Sequence, residues 1–219
     1  MKRALLASTA VLLSMALIGC GNSSSGSAAP PAALTQILSD SGIDGDILVP
    51  PGTVTEGMTP AVQSVFAGID PASGDESRAF LHFPLSGPNG IPLNAVIVSA
   101  TIDIVIDNIV LQSPGDTVPI LIDLVSFTPP LIPNDFDRTS LPPLASLAVL
   151  TPISSADVGG HVFIDVTSLM AQAQSLALPD FQIRILEDFS AVAPGLIEID
   201  DTTGANRGAL APLLQVEYL

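Results

Sequence analysis

The chain predicts an all-β fold, an antiparallel sandwich or barrel, and three observations carry that class. Short runs of Ile, Val and Leu recur along the sequence, each bounded by Pro, Gly or Asp. The clearest run, Ala95 to Val110, alternates: Val96, Val98, Ala100, Ile102, Ile104 and Ile106 share one face, and Ile97, Ser99, Thr101, Asp103, Val105 and Asp107 share the other. That period of two is a strand with one buried and one largely wet face. Turn signals are frequent, which favours many short strands over helices.

The elements follow in order. Met1, Lys2 and Arg3 precede an apolar run from Ala4 to Ile18, then Gly19 and Cys20. A basic start, an apolar core too short to span a bilayer comfortably and small residues before a cut make residues 1–19 a secretory signal. Residues 20–33 are Cys20 and a Ser, Gly, Ala and Pro stretch with too little to bury, a flexible tether. The domain occupies residues 34–219. Its expected strands are Asp46–Val49, Val62–Ile69, Arg78–Leu85, Ala95–Val110, Val118–Phe127, His161–Val166, Phe181–Glu187, Leu196–Ile199 and Leu213–Tyr218, rich in β-branched residues. One segment departs from the pattern. Thr167 to Leu176 are good helix formers, with Asp165 or Thr167 as cap, an apolar stripe of Leu169, Met170, Ala173 and Leu176, and Pro179 to close it. Thr128 to Pro143 holds prolines that central strands exclude and reads as a long surface loop.

Cys20 is the only cysteine, so no disulfide forms within the chain and the core itself must stabilise it. Leu17-Ile18-Gly19-Cys20 resembles the lipobox of bacterial lipoproteins, a family in which the signal is cut before the cysteine and the cysteine is lipidated. The resemblance implies export and attachment to the membrane through the lipid. Gly21, where Asp favours retention at the inner membrane, implies the outer membrane in a Gram-negative source.

Removing the signal removes Lys2 and Arg3. Four arginines then stand against 22 acidic residues, a formal charge of −18. Such a chain is repelled by phosphates, which argues against a nucleic-acid partner, and gains nothing from anionic lipid heads. The anchor must be the lipid.

Three stretches, in order, resemble the DNRLRE-type domain, a carbohydrate-binding-module-like β-sandwich of secreted bacterial proteins. They are Arg78 to Ser86 with Ile91-Pro92 and Ala95 to Ile102; Val162 to Leu169; and Leu196 to Tyr218. The chain departs from the family pattern at His82, at Pro84 and over Asp200 to Arg207. The resemblance implies a jelly-roll-like fold and sugar binding.

Sugar sites usually offer an aromatic platform. Here there is no Trp and one Tyr, Tyr218, in the last strand. Most Phe residues fall in expected strands and read as core, with Phe136 and Phe189 as the loop candidates. The loop holding Asp200, Asp201, Asn206 and Arg207 admits two readings, a set of hydrogen-bonding groups for sugar hydroxyls or a solvated turn. Asp44 and Asp46, around Gly45, are the candidates for a structural Ca²⁺, with Asp70, Asp75 and Glu76 joining if the loops meet. An EF-hand is excluded by Gly42 and Pro51 at ligand positions.

Nothing names a reaction. His82 and His161 both lie in expected strands, and there is no Gly-x-Ser-x-Gly, no His-Glu-x-x-His and no phosphate loop with Lys. Carboxylate pairs suited to glycoside hydrolysis are not visible as separations in a sequence. The expectation is a noncatalytic, lipid-anchored envelope module that binds a glycan. The alternative is a structural or adhesion subunit packed against another envelope protein.

Overall fold

The computed structural model describes residues 31–87, 90–188 and 193–219. Their strands are β1 (Ala33–Leu38), β2 (Gly45–Val49), β3 (Thr53–Glu56), β4 (Ser64–Ile69), β5 (Glu76–Pro84), β6 (Ile97–Leu111), β7 (Thr117–Val118), β8 (Ile120–Val125), β9 (Ala145–Ala148), β10 (Ile153–Ser154), β11 (His161–Asp165), β12 (Asp180–Glu187), β13 (Gly195–Asp200) and β14 (Leu213–Tyr218). One helix, α1 (Thr167–Ser175), and a single helical turn at Arg207–Leu210 complete the elements that matter below.

The long strand β6 organises the fold because it belongs to two sheets. In its first half Ile102 faces Leu214 of β14 on one edge and Ile164 of β11 on the other, and β1 lies beyond β14. Its second half, Ile106 to Leu111, pairs with β13 instead. From β13 the second sheet continues through β4, β5, β12, β8 and β9, with β2 and β3 on the opposite edge of β5 from β12. All these sheet pairings are antiparallel, and the result is a curled β-sandwich. At one crossing the backbones come too close for any side chain. A Cβ on Gly68 would lie 2.1 Å from the Gly195 carbonyl oxygen, and Gly68 has φ +116°.

Ala100, Ile102, Ile104 and Ile106 of β6 meet Leu81 and Phe83 of β5, Ile183 and Ile185 of β12, and Ile122 and Leu124 of β8 in one core. Each fully buried Ile or Leu contributes about 1.5–3 kcal/mol relative to exposure. The alternation of β6 holds from Ala100 inward but fails before it. Val96 and Val98 are exposed, because a bulge opposite Glu217 and Tyr218 lets Ser99 pair with Glu217 and Ile97 with Tyr218. One extra residue reverses which side chains face inward.

The helix sits where the sequence places it. The Asp165 carboxylate accepts the Thr167 N–H at 2.9 Å, and the Thr167 hydroxyl accepts the Ala100 N–H at 2.9 Å, tying the helix start to β6. Leu169, Met170 and Ala173 are buried against the core, whereas Leu176 is exposed. The helix ends with Ala177 at φ 52° and its N–H on Gln174 O, and with Leu178 N–H on Ala173 O. That conformation suits Gly. Ala177→Gly should therefore raise stability by roughly 1 kcal/mol, read as a rise of about 2–4 °C in Tm. A fall would show that the left-handed geometry is not what limits this helix end.

The Pro-rich stretch contains a short 3₁₀ turn, Pro133–Phe136, and no strand, as expected of a loop. It also covers the outer face of the second sheet. Leu131 is buried there with Ile47, Phe80, Val125 and Phe127 in a second cluster. Beneath it Arg184 is fully buried, with Nη2 2.7 Å from Asp123 Oδ2 and Nη1 donating to the Asp135 and Leu141 carbonyls at 2.9 and 3.2 Å. The loop backbone thus completes the shell of a buried cation.

Candidate functional site

β9 and β11 are edges of the two sheets, and a groove of about 490 Å³ lies between them. It is lined by residues 147–153, Asp157 and residues 161–165. The sequence of β11 dictates what it offers. Ile164 is buried and Val162 packs on the core, which turns His161, Phe163 and Asp165 outward. Phe163 is 63 % exposed. The His161 ring stacks on it, with centroids 6.0 Å apart and planes 14° from parallel. His161 Nδ1 lies 2.9 Å from Asp103 Oδ1, a contact that engages Nδ1 and leaves Nε2 for a ligand. Hydrogen bonds from Thr167 hold the Asp165 carboxyl below the usual carboxylate range. Leu150, 96 % exposed, stands on the opposite wall. An accessible ring beside an imidazole and carboxylates can stack on an apolar face while accepting hydrogen bonds from hydroxyls.

Sequence reasoning missed this site because it assigned the strand phenylalanines to the core. The signal was present in the alternation His161-Val162-Phe163-Ile164-Asp165, which puts Phe163 on the polar face. Phe136, expected as an exposed ring, is half-buried beneath the Arg78 guanidinium, 3.9 Å from its centroid. Phe189 and Cys20 lie outside the described residues. His82 is buried in β5, with Nε2 3.5 Å from Asp180.

The acidic loop turns inward. Asp201 is fully buried and accepts from Arg207 Nη1 at 2.9 Å, and Arg207 also donates to Thr202 O and to Ser39 O. Asp200 is half-buried and takes the Thr202 N–H at 2.8 Å, and of the four candidate residues only Asn206 is open to solvent. The structure brings Asp44 to this loop. Asp44 is also fully buried, accepts the His82 N–H at 2.7 Å, and lies against Asp201. Burial first, and then the Asp201 charge, push the Asp44 carboxyl well above its ordinary range. Among the described residues Asp44 Oδ2 and Asp201 Oδ2 have no hydrogen-bond partner, which a proton held by Asp44 and shared with Asp201 explains.

Asp46 goes elsewhere. It lines a cleft of about 390 Å³ with Asp70, Asp75, Thr53, Thr55 and Ser77, and burial pushes its carboxyl up to about 7. Glu76 instead pairs with Arg78 at 2.6 Å. Asp70 and Asp75 line the same cleft as Asp46. Even so, among the described residues no three His, Cys, Asp or Glu side chains converge on one metal position. No helix among the described residues is long and apolar enough to cross a membrane.

Fold and groove define a β-sandwich with an aromatic-and-polar cleft at its sheet edges. No protein-family model and no curated protein sequence matches the chain.

Proposed function

We propose that this chain is a noncatalytic binding module of the cell envelope, lipidated at Cys20, exported to the outer membrane of a Gram-negative source, and specific for a glycan. The observation that carries the glycan assignment is Phe163, an exposed ring backed by His161 and flanked by Asp103 and Asp165. A pyranose packs its C–H face on such a ring while its hydroxyls reach the imidazole and carboxylates. The basic-apolar leader ending in Leu17-Ile18-Gly19-Cys20 supports the anchor, and the motif order from Arg78 to Tyr218 supports a carbohydrate-binding-module-like domain of the DNRLRE type.

The test is retention of the Ser23–Leu219 chain on a broad panel of polysaccharides, with and without calcium. The reading expects retention on at least one. Phe163→Ala should weaken that binding about tenfold, the effect of roughly 1.4 kcal/mol. The same substitution should leave Tm nearly unchanged, since an exposed side chain is removed. No retention on any polysaccharide overturns the glycan assignment.

A second reading, a structural or adhesion subunit, is favoured by one observation. Among the described residues β9 and β11 each pair with a single strand, and an extended protein segment can add to such edges. Capture of an envelope protein lost on Phe163→Ala, with no polysaccharide retained, would select it.

A further inference from the structure

We infer that the outer face of the first sheet, at the end where the chain comes in from the tether, rests on the lipid surface that carries the anchor. This rests on lipidation at Cys20. The strand register puts Leu34, Glu217 and Ser99 in one row across the sheet, and Leu219 and Val96 exchange backbone hydrogen bonds of 2.9 and 3.0 Å one step further out. Side chains two residues apart on a strand share a face, so Leu34, Leu219 and Val96 project together from the side opposite the core. Val98 is exposed at the bulge. Leu34 and Val96 are 67 and 63 % exposed. One row inward the same face turns polar, with Gln36, Gln215 and Thr101. Isolated exposed aliphatics need no explanation, but a cluster confined to one end of a face does.

The tether says what covers it. Thirteen residues, Gly21 to Ala33, separate Cys20 from Leu34, and a Gly/Ser-rich chain of that length spans about 20 Å on average. Lipidation at Cys20 therefore holds this end of the sheet near the bilayer at high effective concentration. The lone carboxylate among these side chains, Glu217, suits a zwitterionic surface rather than an anionic one. A formal charge of −18 after cleavage opposes self-association through the same face. The orientation also serves the proposed binding. Asp103, beside Phe163, lies seven residues along the chain from Val96, about 23 Å away on the same outer face, so the groove stands clear of the docked end.

Lipidation consumes the only cysteine, so an introduced one is unique. The lipidated full chain would carry a fluorophore at Val96→Cys or, eleven residues along the same strand, at Asp107→Cys. Each would be reconstituted in phosphatidylcholine vesicles containing a nitroxide-labelled phosphatidylcholine. Co-flotation with the vesicles reports the anchor, and quenching reports the docking. The expected result is flotation of both, with quenching at least threefold stronger at position 96. Flotation with equal quenching overturns the docking and leaves the anchor standing. Failure to float overturns the anchor and the docking with it. Energy transfer between labelled copies at position 96, in place of lipid quenching, overturns lipid as the occupant in favour of a second copy of the chain.

Discussion

Arg184→Met should cost about 3–5 kcal/mol, because it leaves the buried Asp123 carboxylate without its main partner. For a domain of this size that is a fall in Tm of about 10 °C or more. Arg138 and Ser146 still reach Asp123 Oδ1, at 3.0 and 2.6 Å, but among the described residues Oδ2 bonds only to Arg184. The Asp135 and Leu141 carbonyls lose a donor as well, so the Pro-rich loop should loosen first. The paired change Arg184→Met with Asp123→Leu should recover much of the loss, since the penalty comes from a buried charge left unpaired. Thermal or urea unfolding of the three proteins checks this. A single-variant loss below about 1 kcal/mol would mean that the network adds little to stability.

Stability should fall as the pH rises from about 4 to beyond 7. Below about 4 Asp46 is protonated both folded and unfolded and adds no slope. Above that, the folded state keeps the Asp46 proton up to about 7 while the unfolded chain, with an ordinary value of 3.8, has released it. The folded form then binds more protons, so raising the pH destabilises it, by on the order of 4 kcal/mol for Asp46 alone. Asp44 acts in the same direction, because its carboxyl is raised by burial and by Asp201. Asp137 and Asp165 act in the opposite direction, their carboxyls lowered mainly by hydrogen bonds, but both are exposed and weigh little. Urea midpoints at pH 4.5, 6 and 8 should therefore decline in that order. Asp46→Asn should flatten the decline up to about pH 7. Asp44→Asn should raise the midpoint at pH 8, because the amide donates to Asp201 and still accepts the His82 N–H. A midpoint that rises with pH, or an Asp44→Asn variant less stable at pH 8, contradicts the shared proton.

Period-two alternation made β6, β11 and the core face of β12 legible, and helix propensity with Asp165 and Pro179 made α1 legible. β1 was missed because Ala33–Leu38 begins inside a tether-like composition, and only Ile37 among its residues is buried. Thr53–Glu56 is four residues of mixed polarity and becomes β3 only by pairing with β2 across the Pro50-Pro51-Gly52 turn. The candidate residues followed the same logic. Acidic loops were visible as composition, but the meeting of Asp44 with Asp201 joins positions 157 residues apart and depends on β1 and β14 bringing the chain ends together. Phe163 was legible in principle, since its strand parity marks it as outward.

The central claim is that the β9–β11 groove is where this module takes its ligand. Amide chemical-shift mapping of the domain, titrated with a polysaccharide fragment that it retains, tests this most directly. The account predicts shifts concentrated at His161 to Asp165 and Leu147 to Ile153, abolished by Phe163→Ala. Shifts centred on Asp200 to Arg207, with the groove unmoved, would contradict it.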